Sequence, residues 1–288
     1  METAIKWIRK GNMEGMRQRE KRGVPYLVFP ALEEIPGILH GFSTRLGGVS
    51  QDYLFSMNLS FSREKNRENV LENFKRIGEA LGFEPEQLVL SDQTHTTNVR
   101  EVTGKDKGKG ILKERDYENV DGLVTNEPGV VLATFYADCV PLFFVDPVKK
   151  AVGLSHSGWR GTVNKMGLVT VRKMQQLYHC DPKDIIAAIG PSICQDCYEV
   201  SEDVIQQFQK NFDQTLQEQL YYKKENGKYQ LNLWRANELV MMEAGILPEH
   251  ISVTDLCTCC NAEWLYSHRA SKGKRGNLGA FLGIAEEV

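Results

Sequence analysis

"GVVLATFYADCVPLFFVD", residues 129–146, is an apolar run of β-branched and aromatic residues broken once, at Asp138–Pro141. Apolar stretches this continuous, bounded by turn formers, read as strands buried on both faces. The break leaves no room for a crossover helix, so the pair is hairpin-like and does not fit a simple βαβ repeat. Outward from it, "AVGLSH" (151–156), "DIIAAIGP" (184–191) and the terminal "NLGAFLGI" (277–284) are further short strands, the second closed by Gly190–Pro191.

Helix-period stretches alternate with these strands. In "SREKNRENVLENFKRIGEALGF" (62–83) Val70, Phe74, Ile77 and Leu81 share one face and Gly82 is a stop signal. Thr162–Tyr178 fits a second helix, and a third starts near Asn232 and stops at Gly245. The pattern predicts one mixed α/β (α+β) domain over residues 23–288. Residues 1–22 are set apart as an extension, a frayed helix or disordered, with Met13 or Met16 as alternative starts. The Gly- and Lys-rich segment 103–120 reads as an exposed loop. It lacks the GKS or GKT ending of a phosphate-binding loop, and no dinucleotide fingerprint or repeat is present.

Composition narrows the class. At 288 residues with 41% hydrophobic residues the chain can bury a sizeable core, and a net charge of −3 gives no basic face for nucleic acid. No run approaches the roughly 18 apolar residues of a membrane span, and the N-terminus has no signal-peptide core. Seven cysteines without a secretory segment imply reduced thiols and a cytoplasmic location. No feature of the sequence sets an oligomeric state.

Three chemically active residues sit where strands end. His95 lies in "SDQTHTTNV", Cys139 in "YADCVP" and His156 in "GLSHSGWRGT", at spacings of 44 and 17. Those gaps match no local ligand motif. If the three ends converge, however, two imidazoles and one thiolate leave a fourth position open, as in a catalytic zinc site. The alternative is two ordinary hydrogen-bonded histidines and a buried cysteine, and the residues alone do not choose. "CQDC" (194–197) and "CTCC" (257–260) each resemble half of a zinc ribbon, but 60 residues separate Cys197 from Cys257. That gap exceeds the usual one, so incidental thiols are the expectation.

Arginine supplies the other signal. Arg45, after Ser43 and Thr44 and before a Gly–Gly turn, suits a phosphate or carboxylate. Arg160 follows the His156 strand, where it either contacts an anion or braces a loop. Arg269, Lys272, Lys274 and Arg275 share a Gly-rich loop.

The ordered set "HGFSTRLGGVS", "DQTH", "ADCVPLFFVDP", "HSGWRGT", "IGPSICQDCYEV" and "LCTCCNAEWLYSHR…GNLGAFLGI" resembles the YfiH-like laccase-domain family over residues 38–284, nearly the whole chain. "HSGWRG" and "ADC" carry most of the likeness. The family was once named multicopper polyphenol oxidase and is now regarded as purine nucleoside phosphorylases. The resemblance implies zinc on His95, Cys139 and His156 and a mixed-sheet α/β/β/α sandwich. It also implies phosphorolysis of adenosine, inosine, guanosine and methylthioadenosine, with a side activity deaminating adenosine. Ser157 stands where the family more often has Ala, and Ala270 where a second Arg is usual after "SHR".

On that reading Ser43, Arg45 and Arg160 would meet substrate or phosphate, and Asp138 would shuttle a proton beside Cys139. Two further activities compete for the same residues. A copper polyphenol oxidase would need about ten histidines, and six are present, so copper would be an adventitious substitute for zinc. A metal-free hydrolase would use Cys139 as nucleophile with His156 or His95 as base. A non-enzymatic scaffold would show no turnover at all.

Overall fold

The structure, a computed structural model, describes residues 5–11 and 15–286. One six-stranded sheet runs in the order β1 (Arg17–Lys21), β2 (Val24–Val28), β3 (Ile38–Ser43), β15 (Leu278–Ile284), β7 (Val131–Tyr136), β4 (Leu88–Leu90). The other runs β14 (Ile251–Val253), β10 (Ile186–Ile189), β8 (Val140–Asp146), β9 (Ala151–Ser157), β6 (Gly122–Thr125), β5 (Val99–Glu101). A small third sheet orders β11 (Glu199–Val200), β13 (Tyr229–Leu231), β12 (Tyr221–Lys223). Both large sheets mix parallel and antiparallel pairs.

The two large sheets stack face to face with helices outside, giving the α/β/β/α sandwich that the family resemblance implies. Strand alternation shows why the quoted run is apolar throughout. In β8, Leu142 and Phe144 point into a core shared with the Met166–Tyr178 and Leu233–Glu243 helices, while Phe143 and Val145 point between the sheets. In β7, Leu132 faces the inter-sheet core, and Val131 and Ala133 face the Arg67–Leu81 helix residues Phe74 and Ile77. Both faces of each strand are covered, so neither face has polar residues to alternate with.

The hairpin reading of residues 129–146 is corrected at one point. β7 and β8 lie in different sheets, and the break between them, Ala137–Cys139, carries the chain from one to the other. The true hairpin is β8 with β9, paired antiparallel from Val140↔Ser157 to Asp146↔Ala151.

Local chemistry sets the helix ends. Asn66 accepts the Glu68 amide proton at the start of the Arg67–Leu81 helix, a cap worth about 1 kcal/mol. Gly82 ends it at φ 95°, a conformation that favours glycine. The single helix expected over 162–178 is instead Trp159–Val163 followed by Met166–Tyr178, because Lys165 adopts φ 61° between them.

The expected extension 1–22 is also corrected where it is described. Arg17–Lys21 pairs with Val24–Val28 across a turn in which Arg22 and Gly23 both have positive φ, and Met16 is buried in the inter-sheet core. "RQREK" is polar at every position, which hid the strand: it is an edge strand with Arg17, Arg19 and Lys21 exposed and Gln18 and Glu20 half-buried. Met13 lies outside the described residues. The 103–120 segment is a loop whose Ile111 is nonetheless fully buried beside Phe74 and Leu88.

Candidate active site

His95, Cys139 and His156 converge. Their ligand atoms all lie within 4.8 Å of one another, with Cys139 Sγ 3.9 Å from His95 Nε2 and the two imidazole rings 5.0 Å apart. Each arrives from a different stretch of backbone. His95 follows β4 at φ 65°, Cys139 ends the crossover between the sheets, and His156 stands near the end of β9 opposite Pro141 of β8.

A residue that the sequence reading missed, Asp121, organises two of the three. Its carboxylate is fully buried at the start of β6. Oδ1 accepts from His156 Nδ1 at 2.8 Å and from the His95 amide at 3.0 Å; Oδ2 accepts from the Thr94 and Thr96 amides and the Thr96 hydroxyl. Burial pushes the Asp121 carboxyl up, but the His156 ring and these amides outweigh it and hold it down at about 2. With Nδ1 donating to Asp121, Nε2 is the His156 atom left to bind a metal, which would displace its proton. The available signal was an acid set between apolar residues in "NVDGLV".

The charges agree with a ligand set. Burial pushes the Cys139 thiol up, but the His156 and His95 rings outweigh it and bring it down to about 6. Burial pushes the His156 imidazolium down, and the Cys139 sulfur with the Asp121 carboxylate raises it to about 9. A thiolate held between two imidazoles is a donor set that fits zinc with a position to spare. Gly158 makes the closeness possible: a Cβ there would sit 3.1 Å from both Cys139 Sγ and His95 Cδ2.

The triad forms one end of a cavity of about 530 Å³. Arg63 and Arg275 line the same cavity, and neither has a carboxylate partner among the described residues. Arg275 Nε is buried without a hydrogen-bond partner, and burial together with the nearby Arg63 charge lowers its guanidinium to about 10. Arg63 Nη1 donates to Gly273 O, and Arg275 Nη1 donates to Gly276 O and Asn277 Oδ1; the remaining donors of the two guanidinium groups suit an anion. Arg115 is committed to Asp92 and the Ser91 carbonyl, and Arg67 to the Ile111 carbonyl. Phe61 and Phe135 add apolar wall.

The other expected residues lie elsewhere. Arg45 donates Nε to Phe55 O at 2.8 Å and Nη1 to Ala262 O at 3.0 Å, and stacks 4.7 Å over Tyr266 in an adjoining pocket. Its guanidinium ties loops together. Ser43 is fully buried in β3, its hydroxyl accepting the Gly279 amide proton. Arg160 is exposed and stacks 4.4 Å over Trp159. Asp138, expected as a proton carrier, accepts from the Thr258 hydroxyl and the Arg269 amide, both at 2.7 Å, and holds the turn under Cys139. Arg275 was legible only as one cation of a loop, and Arg63 as part of a helix that in fact begins at Arg67.

Comparison with known proteins follows the same lines. Residues 39–285 match the family model described as multi-copper polyphenol oxidoreductase laccase. The chain is 38% identical to purine nucleoside phosphorylase YlmD of Bacillus subtilis (strain 168), over 86% of this chain and 89% of that protein. Among solved structures, the hypothetical protein YfiH of Bacillus licheniformis superposes with a TM-score of 0.87 at 32% identity, covering 93% of this chain and 98% of the other. YlmD of Geobacillus stearothermophilus gives 0.85 at 36% identity, again over 93% and 98%.

Proposed function

The chain belongs to the laccase-domain family, and from that premise we propose that it is a zinc-dependent purine nucleoside phosphorylase acting in the cytoplasm. One observation carries the reading: the His95, Cys139 and His156 donors share a cavity with Arg63 and Arg275, so a metal and an anion can meet there. The relatives' name supports nucleoside and phosphate as the substrates. Adenosine, inosine, guanosine and methylthioadenosine are the nucleosides, and adenosine is also deaminated.

Bound to His95, Cys139 and His156, zinc would supply a Lewis acid against the substrate. The chain's own residues do the rest. Arg275 and Arg63 bind phosphate and bring an oxygen toward the sugar C1′, where it displaces the base and the glycosidic electron pair leaves with it. Phe61 and Phe135 flank the apolar part of the cavity and take the purine face. Asp121 keeps His156 in one tautomer throughout.

A multicopper oxidase reading has too few ligands. His40 is buried in β3, His179 caps a helix, and His250 and His268 lie apart from the triad. The decisive assay incubates metal-assayed protein with adenosine, with and without phosphate, and separates the products. Adenine and ribose-1-phosphate should appear only with phosphate and vanish in Cys139→Ala; inosine should appear without phosphate. Zinc at full occupancy with neither product would rule the substrate out, and turnover by zinc-free protein would favour the hydrolase.

A further inference from the structure

The two cysteine pairs, far apart in sequence, meet in the fold. Cys194 and Cys197 follow β10, Cys257 and Cys260 follow β14, and these strands are parallel neighbours. A further bridge, Ser192↔Cys257, carries the pairing on past the strand ends. The fold thereby closes the 60-residue gap that argued against a ribbon, since the intervening segment leaves as the third sheet and its helices and returns to the next strand.

We propose that Cys194, Cys197, Cys257 and Cys260 form a second metal site, a tetrathiolate that holds one zinc ion. All four sulfurs lie within 4.8 Å of one another, and Cys197 and Cys260 are 3.5 Å apart. Four sulfurs placed tetrahedrally around zinc at about 2.3 Å stand about 3.8 Å from each other, so the cluster already has the spacing of a filled site. The two C-x-x-C turns supply the ligands in the pattern that structural zinc sites use.

Backbone donors and two cations surround the cluster. Cys257 Sγ accepts the Cys194 amide proton at 3.2 Å and the Cys260 amide proton at 3.4 Å. Cys194 and Cys257 are buried. Four thiolates around a divalent ion leave a net charge of −2, and two cations stand by. Lys10 bonds Asp196 inside the first turn and feels the charges of Cys194 and Cys260, and Arg269 donates to the Cys197 carbonyl.

The site lies behind the triad, separate from it. Thr258, between two of its ligands, holds Asp138, and Asp138 precedes Cys139. Arg269, tied to the first turn through Cys197, supplies the other donor to Asp138, its backbone amide. A zinc ion here pins the platform under Cys139 and takes no part in chemistry.

Zinc per chain tests this directly. His95→Ala/Cys139→Ser protein, without its catalytic donors, should retain about one zinc, which Cys197→Ser/Cys260→Ser added to it should remove. Cobalt substituted into the unaltered chain should give the intense visible and sulfur-to-metal bands of a tetrathiolate, a readout that needs no variant to fold. Less than about a tenth of an equivalent of zinc in the first variant, or cobalt bands of a single-thiolate site alone, would overturn the proposal. So would disulfides among these four residues in protein purified without oxygen.

Discussion

His156 Nδ1 and Asp121 Oδ1 are 2.8 Å apart and both side chains are buried, so one carboxylate fixes the ring of one proposed metal ligand while its amide contacts fix the turn that carries another. Asp121→Asn keeps an acceptor but loses the charge and adds a donor. Partners of ligating imidazoles typically matter by about 10–100-fold in metal affinity. Chelator competition should show a loss in that range for Asp121→Asn, and an unchanged affinity would remove Asp121 from the site.

Gly158→Ala places a methyl 3.1 Å from Cys139 Sγ and from His95 Cδ2. Its φ of −75° suits alanine, so the backbone is unstrained and the effect is steric. Misplacing reacting groups by about 1 Å can cost about 100-fold, and kcat/KM should fall toward that figure while Tm changes little. Wild-type turnover in this variant would mean that the ligands have more room than the structure gives them.

Arg275→Gln and Arg63→Gln should each raise the KM for phosphate about tenfold or more, as expected for loss of a hydrogen bond to a charged group. Arg45→Ala serves as the contrast. Its guanidinium bonds carbonyls of Phe55 and Ala262, so Tm should drop and phosphate KM should hold. A phosphate KM that moves with Arg45 and not with Arg275 would reverse the assignment.

His40 gives a pH test of stability. Its Nε2 accepts the Phe29 amide proton, and burial pushes its imidazolium down to about 4 from the ordinary 6.5. The folded chain therefore binds fewer protons than the unfolded one between those values. Its contribution is intact above pH 6.5 and is lost as pH falls toward 4, by up to about 3 kcal/mol. Denaturant melts of His40→Gln, which keeps an acceptor, should show a flatter stability curve over that window than wild type; an identical slope would count against a neutral buried His40.

The layers were legible because buried strands and an amphipathic helix leave strong periodic signals, as in β8 and the Arg67–Leu81 helix. β1 was not, since "RQREK" has no apolar alternation and is held by pairing to β2. The triad was readable as residue types at strand ends, but its convergence depends on which strands become neighbours, and spacing is blind to that. Arg45 looked like an anion ligand from its flanking residues. What decided its role was the set of carbonyls from Phe55 and Ala262, distant in sequence from one another. The meeting of the cysteine pairs was hidden for the same reason in reverse: a long gap in sequence is a short distance when β10 and β14 lie side by side.

The crossover at Ala137–Cys139 gives the triad a mechanical meaning. One ligand follows a strand of the first sheet, one sits on the strap between sheets, and one ends a strand of the second. An ion gripping all three acts as a rivet through the sandwich, and any sliding of the layers must stretch or bend its bonds. Occupancy and layer alignment are then thermodynamically linked, so trimming Phe143 or Leu282 deep in the inter-sheet filling should loosen the ion's grip from a distance. The strength of the proposed metal's hold would thus depend on residues that never touch it.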